Sequence, residues 1–184
     1  MKKNFFALVI TLTLIFAGFT SAQQDPVRVG GQPMYPNKTI VDNAVNSADH
    51  TTLVAAVKAA GLVETLKGPG PFTVLAPINA AFSSLPAGTV ENLLKPENKD
   101  KLVGILTYHV IPGRLNFQAI QNKIKEGKGQ TTVKTVQGST LTLKKNGDNI
   151  IVEDAKGGVA NITITNVNQS NGVIHVIDHV LLPN

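Results

Sequence analysis

The sequence predicts an α+β domain, with helices gathered in the first half and strands in the second. Two observations carry this. Up to about residue 127 apolar side chains recur at helical spacing, as in Leu53, Val54, Val57 and Ala60 or in Leu102, Val103, Ile105 and Leu106. From Gln130 onward the period changes to two, in Thr131–Val136, Ser139–Lys144, Asn149–Glu153 and Asn161–Val167. Runs of helices followed by runs of strands suit α+β rather than a βαβ repeat.

The chain has 184 residues, room for one domain and a leader. Met1-Lys2-Lys3-Asn4 is a short basic region, Phe5–Phe19 is almost wholly apolar, and Thr20-Ser21-Ala22 supplies small residues. This is the pattern of a secretory signal peptide, residues 1–22, cleaved after Ala22. The alternative, an uncut membrane anchor, ranks lower because the apolar run falls short of the ~20 residues a spanning helix needs. With no cysteine in the chain, a lipoprotein anchor at the cleavage site is excluded, and so are disulfides. Cleavage lowers the formal charge from +5 by two, to +3. That mild excess is compatible with anionic polysaccharide or membrane surfaces without demanding them.

Residues 23–37, with Pro26, Gly30, Gly31, Pro33 and Pro36, read as a linker, or as an arm laid on the domain through Met34 and Tyr35. The domain proper then spans 38–184. Thr39 caps a short helix carrying Ile40, Val41, Ala44 and Val45, and Asp49 or Thr51 starts the next, which Gly61 ends. After the turn cluster Lys67–Pro71 comes the stretch Phe72–Phe82. Phe72–Leu75 reads as a strand buried on both faces, Pro77 blocks further pairing, and Asn79 N-caps a helix beginning at Ala80. Helices follow around Val90–Leu94 and Asn98–Tyr108. Tyr108-His109-Val110-Ile111-Pro112-Gly113 breaks into a short strand, and Phe117, Ile120 and Ile124 mark one more helix. Asn146-Gly147 is a hairpin signal, Gly157-Gly158 a further turn, and the last strand is read as Gly172–Leu182, stopped by Pro183.

Three of these segments, in order and spacing, resemble the fasciclin-like (FAS1) domain: Phe72–Phe82 its first signature, Tyr108-His109 with Val110–Gly113 its Tyr-His element, and Asn171–Pro183 its second signature. The resemblance covers about Asn37 to Asn184. It implies a β-sandwich-like wedge with several helices packed around it, the two signatures being neighbouring core strands. It further implies a secreted, cell-surface or periplasmic adhesion module without catalytic activity or cofactor. Phe72, Thr73, Pro77, Asn79, Phe82, His175 and Asp178 are then structural signature residues. Tyr108 and His109 match the Tyr-His motif to which integrin contact is attributed in animal members. Asp100 matches only half of the Asp-Ile pair also implicated there, because Lys101 replaces the isoleucine. Ile78 stands where a hydroxyl residue is common, and His179 where a lysine is frequent.

Little else in the sequence points to chemistry. On one strand His175 and His179 would share a face about 13 Å apart, too far for joint metal ligation, so structural roles are preferred and no metal is expected. No nucleophile motif accompanies His109, and phosphate-loop, dinucleotide and metalloprotease patterns are missing from the sequence. Lys123, Lys125, Lys128 and Lys134 form the densest basic segment, read as a solvated helix end and loop or as a contact for acidic polysaccharide or lipid head groups. No aromatic ladder accompanies them, so nucleic acid is not an expected partner. Asn37, Asn161 and Asn168 begin glycosylation sequons. The sequence thus predicts a secreted, extracellular or periplasmic adhesion module, monomeric or weakly oligomeric. It would contact a cell-surface protein or a polysaccharide, with no integral membrane anchor once the leader is cut. A small-molecule or lipid carrier using an apolar cleft is the alternative, and a hydrolase a weaker third reading.

Overall fold

The computed structural model describes residues 26–184. The predicted leader, residues 1–22, lies outside them. In chain order the elements are β1 (Val27–Val29), β2 (Gln32–Met34), α1 (Ile40–Ala44), α2 (Thr51–Ala59), α3 (Val63–Lys67), β3 (Phe72–Pro77), α4 (Asn79–Ser83), α5 (Thr89–Leu93), α6 (Lys99–Tyr108), β4 (Val110–Pro112), α7 (Phe117–Glu126), β5 (Gln130–Lys134), β6 (Thr140–Asn146), β7 (Asn149–Glu153), β8 (Val159–Gln169) and β9 (Gly172–Ile177). Short 3₁₀ turns, Ala48–His50 and Pro96–Asn98, lead into α2 and α6.

Seven strands form one mixed sheet in the order β4-β3-β9-β8-β7-β6-β5. The two signatures are its centre: β3 and β9 run parallel, with Leu75 opposite His175 and Pro77 opposite Ile177. Parallel strands covered on both faces read as continuous apolar runs, which is why Phe72–Ala76 shows no alternation. The sheet curls until its edges meet, Val136 just past β5 donating to the Val110 carbonyl of β4 at 2.8 Å. Val74, Ala76, Ile174 and Val176 face the layer built by α1–α6, whereas Leu75 and Ile177 face a second core with Leu141, Leu143, Val152 and the buried face of α7.

Caps explain where several helices start. Thr39 accepts from the Asp42 N–H, and Asn116 from the Ala119 N–H. Asn171, at the head of the second signature, joins three elements. Its Oδ1 accepts from Ile40 N–H at 3.0 Å, while Nδ2 donates to the carbonyls of Leu66 at 2.8 Å and Gly68 at 3.0 Å.

Three expectations are corrected. The segment 23–37 is not a linker through its described part: β1 and β2 pair as a hairpin and bury Val29 and Met34 in the helix-side core. Gly30 and Gly31 both have positive φ (58° and 76°), the geometry of a tight two-residue hairpin turn. The last strand ends at Ile177, not Leu182, because its partner β3 ends at Pro77; the final rung is the Ile78 N–H to the Ile177 carbonyl. Asn79 does not cap its own helix. Ile78 occupies the N-cap, and the Asn79 Oδ1 accepts instead from Thr52 N–H at 3.0 Å, capping α2.

Candidate functional site

Tyr108 and His109, expected as contact residues, are sealed inside the fold at 0% and 3% exposure. The Tyr108 hydroxyl donates to the Thr140 carbonyl at 2.9 Å and accepts from Ala155 N–H at 3.0 Å. Burial raises its pKa. His109 Nδ1 donates to the Ile105 carbonyl at 2.8 Å, which leaves Nε2 to accept from Leu181 N–H at 3.0 Å. Burial pushes its pKa down to about 4, so the ring is neutral and both nitrogens are spent. The pair therefore staples the end of α6 to β6, to the 154–158 turn and to the C-terminal tail. It offers no partner an anchor.

His175 is likewise fully buried. Its Nε2 donates to the Leu115 carbonyl at 2.8 Å, its Nδ1 faces the Asn166 N–H at 3.4 Å, and burial lowers its pKa. Asn166 sits at φ 56° where β8 is irregular, and its Oδ1 accepts from Phe117 N–H at 2.7 Å at the start of α7. His179 lies beyond β9 and is exposed, its Nδ1 2.8 Å from Asp178 Oδ1. The expected common strand face thus does not exist. Asp178 also accepts from the Asn161 backbone and side chain, both at 2.7 Å. Burial works to raise the Asp178 pKa, but the hydrogen bonds of His179 and Asn161 outweigh it and hold the carboxyl low. That sequon asparagine is therefore already engaged.

The remaining signature residues are structural. Thr73 Oγ1 donates to the Gly113 carbonyl and accepts from Leu115 N–H. Phe72 and Phe82 pack against the helix-side core. Asp100 is exposed in the first turn of α6, eight positions or ~12 Å along the helix from buried Tyr108. The two do not form one site.

Lys123, Lys125, Lys128 and Lys134 are all exposed. Lys123 and Lys125 occupy the last turn of α7, where cations complement the helix dipole. Of the four, Lys125 lines a groove of about 390 Å³ together with Gln118, Gln121, Asn122, Lys145 and Asp148.

An apolar cleft of about 260 Å³ lies between α1, α2, α3 and the β3–β4 edge of the sheet. It exists because α1 and α3, five residues each, are too short to cover the sheet between them. All of its lining is aliphatic except Asp42, Lys58, Lys67 and His109. Both His109 nitrogens are already engaged elsewhere. At the rim Lys67 Nζ and Asp42 Oδ1 pair at 3.0 Å, and Val45 is left 48% exposed. The Thr39 hydroxyl and then Lys67 hold the Asp42 pKa low, and Asp42 in turn raises that of Lys67. The sequence suggests an apolar cleft but not its walls, because the lining comes from five separate stretches of chain.

A family model, Fasciclin domain, matches residues 48–183. The chain belongs to the fasciclin domain family. Fasciclin domains are adhesion and surface modules, typically of secreted or cell-surface proteins. Protein sll1483 of Synechocystis is 52% identical over 147 residues, 79% of this chain and 73% of that protein. Immunogenic protein MPB70 of Mycobacterium bovis is 33% identical over 91% of this chain and 74% of its own length. Cell surface glycolipoprotein MPB83 of the same species is 34% identical over 88% and 68%. Among solved structures, a FAS1 domain pair from the insect cell adhesion molecule Fasciclin I superimposes with a TM-score of 0.55 at 28% identity, covering 71% of this chain and 43% of that one. Among the described residues, no helix of this fasciclin domain is long and apolar enough to cross a membrane.

Proposed function

We propose that the protein is an exported, non-catalytic binding module that mediates cell-surface, matrix or polysaccharide contact. The observation that supports it best is the full engagement of Tyr108, His109 and His175 in internal hydrogen bonds. The residues that look reactive in the sequence are spent on rigidity, which suits a scaffold whose contacts lie on its outer faces. Family membership and the cell-surface description of MPB83 point the same way. The groove that sets Lys125 and Lys145 among amides, with Asp148 as its one carboxylate, is the contact this reading favours for an acidic polysaccharide. Purified protein on an array of acidic and neutral polysaccharides, and on intact cells, tests it. Saturable binding that weakens with salt and with the Lys125→Glu/Lys145→Glu double variant is expected. Retention by neither cells nor array overturns it.

A second reading, a carrier of small apolar molecules, is favoured by the aliphatic cleft. Native mass spectrometry of the purified exported protein tests it: a co-purifying or readily loaded ligand of low mass is expected, and an empty protein that takes up none rejects it.

A further inference from the structure

The interior and the mouth of the cleft differ in kind. Inside, Val74 and Val110 of the sheet, Leu53 and Val57 of α2, Leu66 of α3 and Leu106 of α6 present aliphatic carbon alone. The mouth holds Lys58 from α2, Lys67 from α3 and Asp42 from α1. Two cations there face one anion. Lys67 is paired with Asp42 at 3.0 Å, whereas exposed Lys58 has no ion-pair or hydrogen-bond partner among the described residues.

We propose that the cleft binds a single-chain amphiphile with one anionic head, a long-chain carboxylate, its tail along the aliphatic interior and its head between Lys58 and Lys67. This inference rests on the carrier reading and specifies its ligand. Three observations support it. The volume, about 260 Å³, lies just under the ~300–1,000 Å³ of sites for drug-sized ligands, which suits one slender tail and not a two-tailed lipid. The lining lacks the polar groups that would orient a functionalised tail, so recognition is left to the head. Charge complementarity then selects that head. The Lys67–Asp42 pair is roughly two-fifths exposed on each side, at 39% and 43%, and such pairs are weak enough for a ligand carboxylate to take Lys67 over. Asp42 is not orphaned by the exchange, because the Thr39 hydroxyl still donates to its Oδ2 at 2.6 Å.

Calorimetric titration of the purified exported protein with dodecanoate, dodecanol and dodecylammonium, each below its solubility or micellar limit, tests the proposal. Dodecanoate should bind at least tenfold more tightly than dodecylammonium in low salt. Affinity should rise about fourfold per methylene from octanoate to dodecanoate. In the Lys58→Gln/Lys67→Gln variant, both substitutions at exposed positions, the preference for carboxylate should collapse while dodecanol binding persists. Val54→Phe, which fills the cleft from its half-buried wall, should abolish binding of all three in a protein with an unchanged circular dichroism spectrum. If all three bind equally, or if the preference survives in the double glutamine variant, the head assignment falls and the carrier reading stands. If none binds, or if native mass spectrometry shows a second copy of the chain occupying the cleft, both fall.

Discussion

Asn79 accepts the backbone N–H of Thr52 at 3.0 Å, so the first residue of α4 caps α2. The same side chain takes the Thr51 hydroxyl at 3.2 Å and donates to the Ala48 carbonyl at 2.9 Å. A residue placed by the β3–α4 junction thereby fixes the start of the helix that walls the cleft. Asn79→Ala should cost about 1–2 kcal/mol in chemical denaturation, the loss of a cap. Asn79→Asp keeps the acceptor and loses the donor, and should fall between the two. Equal midpoints for wild type and Asn79→Ala would show the cap to be idle.

Tyr108→Phe removes one hydroxyl and strands two backbone groups, the Thr140 carbonyl and the Ala155 N–H. A loss of about 1–3 kcal/mol is expected from unfolding curves, with surface binding unaltered. Lost binding in a protein of wild-type stability would reverse the assignment and return Tyr108 to the contact surface.

The His109 pKa sets a pH window for stability. The unfolded ring takes a proton below its ordinary value of 6.5, whereas the folded ring resists protonation down to about 4. Stability is therefore complete above 6.5 and falls as the pH drops toward 4, by on the order of 3 kcal/mol from this residue. Burial depresses His50 and His175 as well, and their contributions are lost in the same direction as the pH falls. Asp42 and Asp178, held below the ordinary carboxylate value of 3.8, lose their contributions only at lower pH. Thermal midpoints measured from pH 7 to 4 should decline, and the slope should flatten in His109→Gln. A slope equal to that of wild type in this variant would assign the window to the other histidines.

Gly172 opens β9 beside β3, and a Cβ there would sit on the Phe72 carbonyl oxygen and press on Ile40 Cδ1 at 2.9 Å. The backbone oxygen cannot swing aside. Gly172→Ala should destabilise by about 2 kcal/mol or more, whereas Gly104→Ala, where nothing lies within 4 Å, should be neutral or slightly stabilising as a helix substitution. Comparing the two denaturation midpoints checks the claim.

Most of the fold could be read from periodicity. The two buried signature strands, the Asn146-Gly147 hairpin and the Thr39 cap follow from local residues, since each depends on neighbours within one or two turns. What escaped depends on distant partners. Asn79 has the right chemistry for a cap, but sequence does not say which helix end will lie beside it. The Gly30-Gly31 turn was hidden by the prolines around it, although Pro33 is tolerated because β2 pairs on one side only. Asn171 and Asn166 carry no local signal of the clamps they form. The Tyr-His element was visible as a motif, yet its burial was not, because the β5–β6 ladder and the C-terminal tail that cover it lie well downstream. The cleft was expected only in outline, as an apolar space between helices and wedge.

The bond from Val136 to Val110 has a consequence for how copies of the domain meet one another. An open sheet ends in rows of unsatisfied donors and acceptors that template pairing with the next molecule. Here the two outermost strands, β4 of three residues and β5 of five, turn toward each other instead. Copies of this domain can then stand crowded together without zipping into fibrils.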